Sequence, residues 1–340
     1  MIYRSKAPLR IGLAGGGTDV SPYSDLYGGA ILNATVSLYA YANIELADHD
    51  EVHFEAIDYQ SKQVIQKGSP IEINGVLDLH KGVYDRIRKQ FQDIHTGFKL
   101  STFVDAPAGS GLGTSSTLVV AMVGAFAEML KLPLGEYDIA QLAYEIERKD
   151  LNMAGGKQDQ YAATFGGVNY MEFYDHEKVI VNPLRVKQQY LFELENNLVL
   201  YYTATSRESA KIIAKQSQNV LDKKGSSIEA MRQLKQQSQR MKEALLRGRL
   251  HEIGEILDFG FDQKRKMAEG ISNDRVEDIY SAAKIAGATG GKISGAGGGG
   301  FMIFYCPGNT KYKVIERLNS FGGHCKSYQF VDHGLTTWTI

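Results

Sequence analysis

An α+β fold in two lobes is the architecture this sequence predicts, and three observations carry that expectation. The 340 residues exceed the length at which a single hydrophobic core keeps growing. Strand-like apolar segments dominate the first half, whereas amphipathic helical spacing dominates much of the second. The chain then closes in a β-loop-β-α-β order through Lys292–Phe301, Phe301–Tyr305, Tyr312–Asn319 and Cys325–Val331. A first lobe over residues 1–180 and a second over 190–340 are expected, with room for a cleft between them.

The elements follow in order. Leu9–Leu13 and Ala30–Leu46 are apolar, β-branched or aromatic with partial alternation, and read as strands. Val52–Ile57 and Gln63–Ile65 continue an antiparallel sheet. Gly82–Gln92 has helical spacing through Val83, Ile87 and Phe91, and Phe98–Val104 is a strand. Helices over Leu118–Leu130 and Tyr137–Leu151 are separated by Pro133 and Gly135, and precede a turn at Gly155-Gly156 and a hairpin around Gly166-Gly167. In the second lobe the strand Leu198–Thr203 leads to helices over Arg207–Asp222, Ser227–Arg247, Leu250–Glu269 and Val276–Ala286. Their Lys, Gln and Glu side chains read as a solvated face.

Hydrophobic residues at 43%, charged residues at 23% and a formal net charge of −1 argue against a nucleic-acid or membrane-surface partner. An anionic ligand must therefore be held by local geometry. Cys306 and Cys325 lack metal-ligand spacing and are expected to be buried thiols in a reducing compartment. His80, His95, His176, His251, His324 and His333 are likewise scattered without metal spacing. The N-terminus lacks a signal-peptide core, and the best apolar run, Leu118–Leu130, is interrupted by Glu128 and too short for a bilayer. The expectation is a cytoplasmic protein, with a homodimer as an allowed assembly.

Most of the chemistry is expected in glycine-rich loops. Pro107-Ala108-Gly109-Ser110-Gly111-Leu112-Gly113-Thr114-Ser115-Ser116 joins backbone freedom to small hydroxyls and an apolar helix. With Thr114, Ser115 or Ser116 in its first turn, that helix offers N–H donors and its positive dipole end to a phosphate. No lysine follows Gly113, so the loop is not a Walker A sequence. Two further stretches are Ala7-Pro8-Leu9-Arg10-Ile11-Gly12-Leu13-Ala14-Gly15-Gly16-Gly17-Thr18-Asp19 and Lys292-Ile293-Ser294-Gly295-Ala296-Gly297-Gly298-Gly299-Gly300-Phe301. The first lacks the following helix and ribose-binding acid of a dinucleotide site.

Phosphoryl transfer needs a nucleotide cradle, a divalent cation and a group that orients the accepting hydroxyl. Glu147, late in its helix, and Asp159, beyond the glycine turn, are carboxylates that can fold back beside the cradle. Arg10 lies in a predicted strand, where an unpaired charge is costly, and its expected partner is Asp159. Arg207 follows Thr203-Ala204-Thr205-Ser206 at a strand-to-helix passage, where a guanidinium, hydroxyls and helix N–H groups suit a phosphate already on the substrate.

In this order and spacing the three loops resemble the motifs of the GHMP kinases, the superfamily named for galactokinase, homoserine kinase, mevalonate kinase and phosphomevalonate kinase. The resemblance runs from Ala7 to Phe301. It implies an N-terminal lobe like ribosomal protein S5 domain 2, a ferredoxin-like C-terminal lobe, and ATP with Mg2+ as cofactors. Pro107, Gly109, Ser110, Gly111, Leu112, Gly113, Thr114, Ser115 and Ser116, together with Gly295, Gly297 and Gly298, would then surround the nucleotide. Glu147 maps onto the magnesium-ligand glutamate, with Ser116 as the favoured hydroxyl ligand. Asp159-Gln160 matches the Asp-Gln pair of sugar kinases, which implies that Asp159 is the base or orienting group. Arg10 would lower its pKa and steady phosphate charge, while Gly16, Gly17, Thr18 and Asp19 would contact the sugar. Gly15–Asp19 is most similar to the D-glycero-D-manno-heptose 7-phosphate kinase group, implying phosphorylation of a sugar phosphate at its anomeric hydroxyl to a 1,7-bisphosphate. Fucokinase domains come next, which implies a hexose 1-kinase as the alternative. The superfamily also holds catalytically silent sugar-binding members, against which intact loops, Glu147 and Asp159 argue.

Overall fold

The computed structural model describes residues 1–48, 50–205 and 209–340. Its strands are Ile2–Ala14 (β1), Gly29–Ala47 (β2), Glu51–Ala56 (β3), Ser61–Gln66 (β4), Gly97–Val104 (β5), Val168–Phe173 (β6), Val179–Pro183 (β7), Leu198–Tyr202 (β8), Gly290–Ile293 (β9), Phe301–Tyr305 (β10), His324–Cys325 (β11) and Thr336–Thr339 (β12). They form an eight-stranded sheet with the path β12-β1-β2-β5-β3-β4, to which β6 and β7 attach through β2. A second sheet has the order β11-β8-β10-β9. In this second sheet, β8, a helical segment, the β9–β10 hairpin, the helix Lys311–Asn319 and β11 reproduce a split βαβ arrangement.

Long β2 organises the first sheet because its two halves serve different partners. Gly29–Ala34 pair with β6, and Ala40–Ala47 pair with β5. Register shifts in β1 at Pro8/Leu9 and Gly12/Ala14 bend the ladder where its residues approach the cleft. The chain's end returns to this sheet, with β12 pairing antiparallel to β1 and Phe330 bridging Val36. The strands of the sheet therefore come from both ends of the sequence.

The helix Thr114–Leu130 lies against β1 and β2 and is apolar around most of its circumference, as its buried run from Ser116 to Phe126 requires. Phe126 meets Phe98 edge to face at 5.6 Å between ring centres, and Tyr84 packs on both. One core continues from this layer to Leu198, Leu200, Phe301, Ile303 and Tyr305 of the second sheet. The other face of that sheet covers a second core with Met231, Phe261, Met267 and Ile279. Among the described residues no helix is long and apolar enough to cross a membrane. Cys306 is buried, but Cys325 is only partly so, and both are free thiols.

Candidate active site

A cleft enclosing about 180 Å³ opens where the three glycine loops meet. The helix behind the second loop starts at Thr114 rather than Leu118, so Thr114, Ser115 and Ser116 are its first turn and line the cleft. Gly113 precedes it at φ +80° without any side-chain cap, which leaves first-turn N–H groups facing an arriving anion. The loop is clamped from both sides. Arg10 N–H donates to the Leu112 carbonyl at 3.2 Å, Phe301 N–H to the Ser110 carbonyl at 2.8 Å, and the Ser294 hydroxyl to the Gly111 carbonyl at 2.7 Å. A Cβ on Gly300 would lie 2.4 Å from the Ser110 carbonyl oxygen, so close approach of the third loop to the second requires glycine there.

Not all of the residues expected around the nucleotide line the cleft. Ser110 and Leu112 are buried, with Leu112 in the hydrophobic core, and they support the loop without lining the cleft. Gly297 and Gly298 turn instead toward Ile271, whose carbonyl accepts from Gly298 N–H at 2.6 Å, while Gly295 does line the cleft. Pro107 is exposed at the entrance of the loop.

Glu147 does not sit on a continuous α-helix over Tyr137–Leu151. The helix Glu136–Glu145 widens into a π-turn at Ile146–Asp150, closed by Leu151 N–H on the Ile146 carbonyl at 3.0 Å. This changes the helical phase and turns Glu147 inward, leaving it 1% exposed. Its Oε1 accepts from the Ser115 hydroxyl at 2.7 Å, and its Oε2 from Gln160 Nε2 at 2.5 Å. Ser116, the favoured metal ligand, instead receives Gln160 Nε2 at 3.0 Å and Arg148 Nη2 at 3.5 Å. Of the two serines, it is Ser115 whose hydroxyl contacts Glu147 directly, while Ser116 is linked to it through Gln160. A buried carboxylate and a hydroxyl in contact, beside a helix N-terminus that attracts phosphates, form a hard oxygen donor set that fits Mg2+.

Arg10 and Asp159 meet as expected. Nε and Nη2 of Arg10 reach Asp159 Oδ1 at 2.6 and 2.5 Å, and Nη1 donates to the Gly111 carbonyl at 2.7 Å. The arginine side chain is 4% exposed and the aspartate 22%, so the pair is largely desolvated yet opens to the cleft. Asp159 Oδ2 receives no protein hydrogen bond among the described residues.

Asp19 has a structural role that the sequence reading did not suggest. Its Oδ2 accepts from Lys157 N–H at 2.9 Å and Gln158 N–H at 3.1 Å, fixing the start of the helix Gln158–Phe165 that carries Asp159. A Cβ at Gly156 would lie 1.9 Å from that same oxygen, so this glycine admits the carboxylate. Burial, followed by the Asp159 charge, pushes the Asp19 carboxyl pKa up against the opposing Gln158 N–H bond and Arg10 charge. Asp19 Oδ1 and Gln158 Oε1 are buried without a partner among the described residues, although both residues line the cleft. Thr18 takes no part in the lining. It is fully buried, with its hydroxyl engaged by the Gly15 and Ala30 carbonyls and by Ala30 N–H. Gly16 and Gly17 do line the cleft.

Lys264 and Lys292 also line the cleft and had no assigned role in the sequence reading. Lys292 directly precedes the third loop, which was its only signal. Lys264 lies on the helix Ile253–Arg265, read as solvated, yet is 4% exposed. Arg207 lies outside the described residues; the nearby Thr203 and Thr205 hydroxyls bond each other at 2.8 Å, and their backbone groups meet Gly300.

Models for the GHMP kinases N terminal domain and the GHMP kinases C terminal match residues 78–167 and 241–324. Over 337 residues, covering 99% of both chains, the sequence is 46% identical to D-glycero-alpha-D-manno-heptose 7-phosphate kinase of Campylobacter jejuni. This chain belongs to the GHMP kinases. A solved structure from Bacteroides thetaiotaomicron, described as a D-glycero-D-manno-heptose 1-phosphate kinase, shares 46% identity at a TM-score of 0.85, with 99% of each chain covered. Lactococcus lactis galactokinase complexed with galactose aligns at a TM-score of 0.79 over 98% of this chain and 95% of its own, but at 17% identity, and shares the fold. The GHMP fold accounts for both sheets and for the convergence of the three loops between them.

Proposed function

We propose that this GHMP kinase transfers the γ-phosphoryl group of ATP to a sugar phosphate, specifically to the anomeric hydroxyl of D-glycero-D-manno-heptose 7-phosphate, giving the 1,7-bisphosphate. The observation that carries the reading is the Arg10–Asp159 pair beside an uncapped helix N-terminus, with orphaned acceptors on Asp19 and Gln158 in the same cleft. Each buried acceptor without a donor costs about 1–3 kcal/mol, which a polyhydroxylated substrate offsets by donating to it.

Thr114–Ser116 N–H groups bind the nucleotide phosphates, and Ser115 with Glu147 would hold Mg2+ against them. When bound, the cation neutralises phosphate charge. Asp19 and Gln158 position the sugar, so that its accepting hydroxyl faces Asp159 Oδ2. As the sugar oxygen bonds to the γ-phosphorus, the bond from that phosphorus to the β–γ bridging oxygen breaks and ADP leaves. The hydroxyl proton passes to Asp159. Arg10 holds Oδ1 and faces the moving phosphoryl charge.

Support also comes from the names of the two relatives of 46% identity, one described as a heptose 7-phosphate kinase and the other as a heptose 1-phosphate kinase. These names place the resident phosphate at opposite ends of the sugar. ADP release should be measured with heptose 7-phosphate, heptose 1-phosphate and free fucose, with phosphorus NMR of each product. The expected product carries phosphates on O1 and O7, formed from the 7-phosphate. Turnover of heptose 1-phosphate alone would overturn the assigned position, and preference for fucose would overturn the sugar-phosphate reading.

A further inference from the structure

We infer that Lys264 and Lys292 form the receptor for the phosphate that the acceptor already carries. The inference rests on the sugar-phosphate reading and assigns a second anion site, separate from the one that receives the transferred group. Both ammonium nitrogens lie 3.8 Å from the point that a Gly16 Cβ would occupy, and therefore no more than twice that distance apart. Glycine at this position leaves the space between them open.

The two lysines reach this point from different parts of the second lobe. Lys264 comes from the helix Ile253–Arg265, and Lys292 from β9 immediately before the third loop. Lys292 Nζ donates to the Gly12 carbonyl at 2.7 Å, which fixes its height in the cleft and leaves further N–H donors on the same nitrogen. Lys264 and Lys292 are only 4% and 5% exposed, so their charges are weakly screened. Burial and the like charges of Lys264 and Arg10 hold the Lys292 pKa well below that of an ordinary lysine. Two ammonium groups brought to one point largely out of water complement the charge of a phosphate dianion.

The two anions would occupy different parts of one cleft. The nucleotide side of the cleft is defined by Gly113, against which Asp159 packs, and by Ser115 on Glu147. The lysines converge instead on Gly16, in the loop that carries Asp19. Asp19 would engage the sugar between the two anion sites. A single molecule with a hydroxyl at one end and a phosphate at the other fits this sequence of groups.

The test uses the full chain and calorimetric titration, without ATP, of heptose 7-phosphate and of the same heptose lacking phosphate. Wild type is compared with Lys264→Met and Lys292→Met, while MgATP affinity and melting temperature are measured for each. The expected result is that wild type prefers the phosphorylated sugar. Each substitution should weaken that ligand by about 10- to 100-fold, the size of a lost charge-assisted bond, and leave free heptose and MgATP binding unchanged. Steady-state kinetics should show the same loss in KM for the sugar phosphate, with a much smaller change in kcat. If wild type prefers the phosphorylated sugar but folded variants weaken both sugars equally, or weaken MgATP, the lysine assignment is wrong and the substrate reading stands. If wild type shows no preference for the phosphorylated sugar, both fail. Lys264→Gln, smaller and polar, replaces the methionine variant if that variant does not fold.

Discussion

Replacing Asp159 by asparagine isolates charge from shape. The amide oxygen can stay in the Oδ1 position, 2.6 Å from Arg10 Nε, so the arginine keeps its geometry. What faces the sugar is then an NH2 group, which cannot accept the hydroxyl proton. Loss of general-base assistance is expected to lower kcat by about 10²- to 10⁴-fold, equivalent to about 2.7–5.4 kcal/mol in the barrier. A stability effect comes with it. Arg10, with a side chain 4% exposed, loses its ionic partner and keeps neutral acceptors, a change of about 1–3 kcal/mol. Asp19 meanwhile loses a like-charged neighbour that raises its pKa, which offsets part of that change. Melting temperature should therefore fall by only a few degrees. With Asp159 acting on the acceptor as proposed, KM for ATP should be unchanged in a coupled ADP-release assay. Near-wild-type kcat in a folded Asp159→Asn protein would refute the assignment, and a selective rise in KM for ATP would place the residue on the nucleotide instead.

Further outcomes follow from other contacts. Glu147→Gln should raise the magnesium concentration needed for half-maximal rate, with much of the deficit recovered at high magnesium; Ser115→Ala should shift the magnesium curve the same way and Ser116→Ala should shift it less, a ranking that magnesium titrations can reverse. Gly156→Ala should disrupt Asp19, because its Cβ would sit 1.9 Å from Oδ2, and should lower both melting temperature and acceptor turnover while sparing nucleotide binding. His80, buried with its Nε2 2.8 Å from the Thr102 hydroxyl, has its pKa lowered to about 4 by burial. Between pH 6.5 and about 4 the unfolded imidazole binds a proton that the folded one excludes, so its contribution is intact above that window and lost as pH falls, by up to about 3 kcal/mol. Chemical denaturation across that window should be less pH-dependent in His80→Gln than in wild type; equal slopes would remove His80 as the cause.

The three glycine loops, the strands and the helix within residues 30–104, and the Arg10–Asp159 partnership were legible in the sequence because each is a local requirement with one economical solution. Glycines must stand where backbones touch, as Gly111 does 2.5 Å from the Ser294 carbonyl once a Cβ is added, and an arginine in a buried strand must find a carboxylate. Choosing between Ser115 and Ser116 was not a local matter. It depended on a π-turn after Glu145, whose hydrogen bonds show no composition signal, and on the rotation of one helix against another. Asp19 acting as the anchor for the helix Gln158–Phe165 depended on a contact 138 residues apart in sequence. Lys264 looked like one cation among many on an amphipathic helix, and only the packing of that helix against the first loop buries it beside Lys292. Short-range chemistry was thus written in residue types and spacing, whereas the pairing of distant charges was decided by tertiary packing, because burial and separation set their energies and neither is a property of the linear chain.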